Sequence, residues 1–187
     1  MSPPHRVSFI LHRFSRGGSD RVTAYLARGF ADRGMDVELL VVTRGGEVEA
    51  ALTALVGADI PIRYFGHFGG PRALDLMRGL PGLVRHLRAR APDAIISTAN
   101  NTAWISAAAL KLSGLRGTRL FLKTTNPIAA SRHTGLTRRI RRWGYRKAFA
   151  VADAVWPLSA EESAELRREY PDFGPLFREI VNPYVTP

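Results

Sequence analysis

Val7-Ser8-Phe9-Ile10-Leu11 and, just after it, Ser15-Arg16-Gly17-Gly18-Ser19-Asp20 decide the fold. The first run is short and apolar, the pattern of a buried strand. The second is a loop carrying two adjacent glycines. Behind it Val22, Leu26 and Phe30 recur every four residues, on one face of a helix. Gly34 closes that helix and Val37-Glu38-Leu39-Leu40-Val41-Val42 starts a second strand. The unit is strand, glycine turn, helix, strand. Glycines at such a turn let a ligand approach the backbone. The helix N-terminus behind them presents free N–H groups and partial positive charge, which suits a phosphate. A tight turn with a Ser or Asp cap needs no ligand, so the motif alone leaves both readings open. It is not the dinucleotide fingerprint, because G-x-G-x-x-G is absent.

The same alternation continues outward from this unit. Glu47 to Leu55 reads as a short helix, and Ile60 to Phe65 as a third strand whose Pro61 marks a strand start or an edge. A long helical pattern runs from Arg72 to Arg90 with Leu76, Leu80, Leu83, Val84 and Leu87 inward; Pro81 predicts a kink or break near Gly79. Ala94-Ile95-Ile96-Ser97 is a fourth strand, followed by Thr98-Ala99-Asn100-Asn101 and a helix from Trp104 to Leu112. Leu120-Phe121-Leu122 is a fifth strand, ending in Lys123-Thr124-Thr125-Asn126-Pro127. A polar loop with Ser131, Arg132 and His133 precedes a helix from Leu136 to Val151, and Ala154-Val155-Trp156-Pro157 is a sixth strand. Ser159-Ala160-Glu161-Glu162 is a capping box that opens another helix. Most strands are continuous apolar runs, as expected when both faces are covered. The fold class is α/β, a doubly wound parallel sheet, in which ligands sit beyond the carboxyl ends of the strands. Gly17, Gly18, Asn100, Asn101, Thr124, Thr125 and Asn126 all fall there.

The 187 residues make one domain. With no cysteine the chain has neither a disulfide nor a thiolate ligand or nucleophile. The N-terminal apolar run is too short for a signal peptide and no stretch is long enough to span a membrane, so the expected location is cytoplasmic. A G-x-x-x-x-G-K-[ST] phosphate loop and a G-x-S-x-G elbow are both absent, which disfavours P-loop hydrolysis and an α/β-hydrolase. His5, His12, His67, His86 and His133 never take a metal-ligand spacing, so no metal site is expected. His12 and Arg13 stand where a receiver domain would need carboxylates.

Charge is the unusual feature: 27 Lys and Arg against 16 Asp and Glu, a net +11. Such an excess favours anionic partners. It is densest between Arg132 and Lys147, where there is no acid. Leu136, Ile140 and Trp143 share one helix face there, and Arg138, Arg139, Arg141, Arg142 and Arg146 cover much of the rest. A Trp among arginines suits an anionic membrane surface. The bland alternative packs the apolar stripe on the sheet. Nucleic acid ranks last, because no aromatic residues interleave into a stacking platform.

Four segments resemble family-four GT-B glycosyltransferases. Gly17-Gly18-Ser19-Asp20-Arg21-Val22, running on to Arg33-Gly34-Met35-Asp36-Val37, is similar to the family's opening, with Met35 where a His is usual. Ala94 to Ser97 fits the strand before the acceptor cleft. Ala152-Asp153-Ala154-Val155 with Leu158-Ser159, and Ile180-Val181-Asn182-Pro183, fit a later strand and the interdomain hinge. The resemblance implies a Rossmann-like, acceptor-side N-terminal half of a GT-B fold over 1–179, with 180–187 starting the hinge toward a C-terminal donor-binding domain. It implies a retaining hexosyltransferase that takes a sugar from a nucleotide diphospho-sugar, a co-substrate, with no cofactor. The acceptor would be a cell-envelope or lipid-linked sugar, and this isolated half would be inactive. Gly17, Gly18 and Ser19 would hold the donor diphosphate; Asn100, Asn101, Thr125, Asn126 and His133 would shape the acceptor cleft. Thr124-Thr125-Asn126 stand where many members place a His or Arg, so the catalytic residue stays open. The basic helix would hold the protein at the inner face of the cell membrane. A reading from another class is a stand-alone flavodoxin-like module that binds anionic lipid or RNA.

Overall fold

A computed structural model describes residues 5–67, 69–125, 128 and 135–180. Asn126, His133 and the Asn182-Pro183 pair lie outside them. Strands β1 (Arg6–Leu11), β2 (Asp36–Val41), β3 (Ile62–Tyr64), β4 (Ala94–Ser97), β5 (Arg119–Lys123) and β6 (Ala154–Trp156) form one sheet. Its order is β3-β2-β1-β4-β5-β6 and every pairing is parallel. The helices are α1 (Gly18–Ala31), α2 (Glu49–Val56), α3 (Arg72–Arg90), α4 (Ala103–Ser113), α5 (Gly135–Phe149) and α6 (Ala160–Glu169), followed by a 3-10 turn over Pro171–Leu176.

The two-residue strand period distributes the apolar runs to both faces. Phe9, Leu39, Val41 and Ile96 pack with Ala24 and Ala27 of α1 and Leu52 and Val56 of α2. Ile10, Leu40 and Ile95 point the other way, into a core with Leu76, Leu83 and Leu87 of α3 and Ile105 and Leu110 of α4. Pro61 precedes β3, which is an edge strand, as its sequence predicts.

Pro81 does not break α3, which runs unbroken from Arg72 to Arg90. The proline is exposed. The hydrogen bond it forfeits, to the Met77 carbonyl, therefore lies on the solvent side, where water replaces it. Gly79 and Gly82 serve packing instead. A Cβ on Gly79 would stand 2.6 Å from Val42 Cγ1, and one on Gly82 3.0 Å from the Phe65 ring. Their bare backbone lets α3 lie close to the sheet.

Two buried carboxylates organise the interior. Glu38, in the middle of β2, accepts from Ser8 Oγ at 2.6 Å and meets His86 Nε2 at 2.9 Å. Glu162 departs from the simple capping box. Its N–H donates to the Ser159 side chain, but its carboxylate accepts from Leu158 N and Thr124 Oγ1, both at 2.7 Å, and from Ile128 N at 3.3 Å. One side chain thus ties the start of α6 to the tip of β5. Because sequence order reverses between β1 and β4, the helices that follow these strands leave on opposite faces and open a crevice beyond their carboxyl ends.

Candidate functional site

A cleft of about 1000 Å³ occupies that crevice. The segment after β1 forms one wall, with His12, Arg13, Ser15, Gly17, Ser19 and Asp20. Arg72, Ala73 and Leu76 at the start of α3 form a second. Asn100, Asn101 and Thr125 line the tips of β4 and β5, and Trp104, Ile140, Arg141, Trp143 and Tyr145 close the far side.

The glycine loop is built open. Gly17 is the N-cap of α1, and no side chain caps the helix. Asp20, the natural candidate, turns back: its carboxylate accepts from Ser15 N at 2.7 Å and Ser15 Oγ at 2.6 Å. Burial pushes the Asp20 carboxyl above its ordinary range, against those hydrogen bonds. The first turn of this 14-residue helix therefore has no side-chain cap among the described residues, and its Gly17, Ser19 and Asp20 line the cleft. A Cβ on Gly17 would meet Ser19 Oγ at 3.4 Å and Ser15 Oγ at 3.5 Å, ordinary contacts at a φ of −69°. The interior does not demand glycine there. Gly46 is different, since its Cβ would fall 1.4 Å from the Phe14 carbonyl oxygen. The loop after β2 is thereby pressed against the base of the glycine loop.

Hydrogen bonds hold the other loops to this one. Thr23 Oγ1 of α1 meets Thr98 Oγ1. Ser97 Oγ meets Thr102 Oγ1 at 2.8 Å. Asn100 Oδ1 accepts from Thr125 N at 2.9 Å, which joins the tips of β4 and β5. At the end of β5, Lys123 Nζ is buried with no hydrogen-bond partner among the described residues; burial lowers its pKa and the Glu162 charge opposes this.

The site residues named from sequence fall as follows. Gly17, Ser19, Asn100, Asn101 and Thr125 share the cleft, and Gly18 is the exposed first residue of α1. Of the basic-helix set, Arg141 and Trp143 reach the cleft wall. Arg142 donates to the Glu169 carbonyl, Arg146 to Asp172, and Arg138 stands 4.0 Å from Glu169. Arg139 is exposed. The alternative in which the apolar stripe packs on the sheet does not hold: Leu136, Ile140 and Trp143 are 72, 59 and 63% exposed. Tyr145, Ala148 and Phe149 anchor α5 instead, Phe149 amid the rings of Tyr145, Tyr170, Phe173 and Phe177.

Sequence reasoning gave no cleft role to His12, Arg72, Asp75 or Tyr145; Arg72 reads there only as part of a second basic helix that could add to the anionic-surface face. His12 and Arg13 did carry a signal, two polar residues where an apolar strand ends. Asp75 carried none, because its partner lies far away in the chain. His12 Nε2 stands 3.6 Å from Asp75 Oδ2, and both atoms are buried without a hydrogen-bond partner among the described residues. Burial, then the charges of Arg72 and Arg13, hold the His12 imidazole below its usual range, so the ring is neutral near pH 7. Among the described residues no three His, Cys, Asp or Glu stand together as a metal site would need.

Residues 17–176 match the family model of the glycosyl transferase 4-like domain. The chain belongs to that family. No curated protein matches it in sequence. Solved GT-B glycosyltransferases share its fold. Apo WaaB, a lipopolysaccharide outer core galactosyltransferase, superposes with a TM-score of 0.70 at 15% identity, over 95% of this chain and 45% of that one. HepE of Anabaena, in complex with UDP and glucose, gives 0.71 at 16% identity, over 95% and 44%. MurG of Acinetobacter baumannii gives 0.55 at 17% identity, over 82% and 41%. At these identities the likeness is one of fold. This glycosyl transferase 4-like chain spans less than half the length of each of these proteins. No helix among its described residues is long and apolar enough to cross a membrane.

Proposed function

We propose that this chain is the acceptor-side half of a retaining glycosyltransferase that moves a sugar from a nucleotide diphospho-sugar to a cell-envelope or lipid-linked acceptor. The observation that carries the reading is the open N-terminus of α1 at the point where strand order reverses. Gly17 and Gly18 lie exposed there and Asp20 is turned away from the helix end. An anion is the group such an end accepts most readily. Gly17, Gly18 and Ser19 hold the donor diphosphate from below. Asn100 and Thr125, locked to one another across the strand tips, and Asn101 beside them hold acceptor hydroxyls. Asn126 and His133 keep their proposed place in the acceptor cleft from the sequence resemblance. HepE, whose solved form contains UDP and glucose, supports a nucleotide-sugar donor.

A C-terminal donor-binding domain supplies the remaining contacts to the nucleotide, so this half alone does not complete the transfer. The exposed Leu136, Ile140 and Trp143 stripe, flanked by Arg138, Arg139, Arg141, Arg142 and Arg146, rests on the anionic inner face of the cell membrane. The same stripe favours a second reading, a stand-alone basic module for anionic lipid or RNA. Sugar release from a panel of nucleotide-sugars separates the claims. The isolated chain is expected to release none, and release to begin when a C-terminal donor-binding domain is supplied. Robust turnover by these 187 residues alone contradicts the half-enzyme reading.

A further inference from the structure

We infer that the acceptor is acidic: a sugar bearing a carboxylate or a phosphate ester, its anionic group held between Arg13 and Arg72 and a neighbouring hydroxyl held by His12. This deepens the proposed function and rests on it.

Arg13 follows β1 and Arg72 opens α3, yet both line one cleft. Both lie close enough to His12 for their charges to act on its ring, and Arg72 acts on Asp20 as well. Both are exposed. Among the described residues neither forms an ion pair, whereas Arg16, on the same loop, is bound to Glu47 at 2.8 Å. Arg141, the remaining arginine of the cleft, lies over the Tyr145 ring. The carboxylates within reach are Asp20 and Asp75, and among the described residues neither forms an ion pair with Arg13 or Arg72. Asp20 accepts from Ser15, and Asp75 is fully buried with Oδ1 accepting from Gly70 N at 3.3 Å. Two guanidinium groups from separate elements, neither in an ion pair among the described residues, thus line one cleft. Planar donors of this kind pair with carboxylate or phosphate oxygens two at a time. The start of α3 adds to the field, since no side chain caps it.

His12 completes the arrangement. It is 5% exposed, and its Nε2 stands 3.6 Å from Asp75 Oδ2, which has no hydrogen-bond partner among the described residues. A neutral ring oriented by a carboxylate carries its proton on the nitrogen nearest that carboxylate, which leaves the other as an acceptor for a hydroxyl. A neutral imidazole does not compete with the arginines for the anion. The donor's proposed seat, the N-terminus of α1, is a separate element.

The test is titration of the isotopically labelled chain with glucuronate, glucose 6-phosphate and glucose, read by NMR at the Arg13 and Arg72 guanidinium N–H groups and the His12 ring. UDP is titrated in parallel. We expect at least one acid to bind about tenfold or more tightly than glucose, the two arms deciding between carboxylate and phosphate. Arg72→Gln and Arg13→Gln remove that advantage and Arg72→Lys restores part of it. Circular dichroism checks the fold of each variant, and Arg13→Gln, in an exposed loop, serves if Arg72→Gln does not fold. Glucose binding as tightly as both acids overturns the proposal. So does UDP losing as much affinity as the acid in Arg72→Gln, which would give the arginines to the donor. So do shifts confined to the arginines of α5. Acid binding that persists where UDP does not bind counts against the donor reading and leaves this one standing.

Discussion

Gly17 and Gly46 sit on neighbouring loops and are glycine for opposite reasons. Gly46 is required by the interior, where any Cβ would overlap the Phe14 carbonyl oxygen. Gly46→Ala is therefore expected to lower the free energy of unfolding by about 3 kcal/mol, measured by urea denaturation; an unchanged midpoint would show that the two loops separate freely. Gly17 has room for a side chain, so its bareness serves the cleft and not the fold. His12 adds a pH dependence. Burial holds its folded pKa below the ordinary 6.5, so below that pH the unfolded chain binds a proton that the folded chain resists. Stability contributed by the neutral ring is complete above pH 6.5 and falls as pH drops toward the folded value. Arg13, Arg72 and Asp75 face the ring; Asp75 alone opposes this direction. His12→Gln should lose less stability than the parent between pH 7 and 5, compared by thermal melts; parallel pH profiles would refute the assignment. At this scale the sequence was legible only where a polar residue interrupted a pattern. Gly17 and Asn100 announced themselves at strand ends. The pairing of His12 with Asp75 and of Thr124 with Glu162 depends on tertiary proximity, which no local pattern encodes.

Among the elements, α5 departs most from an ordinary amphipathic helix. Its spacing reveals two apolar sets, Leu136, Ile140 and Trp143 on one side and Tyr145, Ala148 and Phe149 on another. Sequence cannot say which set faces the core, since either satisfies the helical period. The aromatic cluster built by Tyr170, Phe173 and Phe177 from later in the chain decides it. Trp143→Ser is expected to change stability by less than about 0.5 kcal/mol, since the ring is 63% exposed. The same change should weaken flotation with vesicles containing anionic phospholipid. Equal flotation of parent and variant, or indifference to lipid charge, would remove the membrane from the account. In α3, Pro81 read as a kink or a break because composition does not report which side of the helix meets water. The exposure of that side leaves the helix whole.

For the whole molecule, the parallel sheet was the most legible feature. Continuous apolar strands alternating with helices admit few other architectures, and the crevice at the reversal of strand order follows from that topology. The glycine loop, the linked Asn100 and Thr125, and Arg13 and Arg72 all line that cleft, where both substrates are proposed to sit. What the sequence could not supply was the third dimension of that cleft: the α3 wall with Arg72, and the far side with Tyr145. The central claim is that the open end of α1 receives the donor diphosphate. Amide chemical shifts of the labelled chain during a UDP titration test it most directly. Weak, saturable binding is expected, with the largest shifts at Gly17, Gly18 and Ser19 and its loss in Gly17→Val. UDP binding centred elsewhere, or no shift at these amides at millimolar UDP, would contradict it.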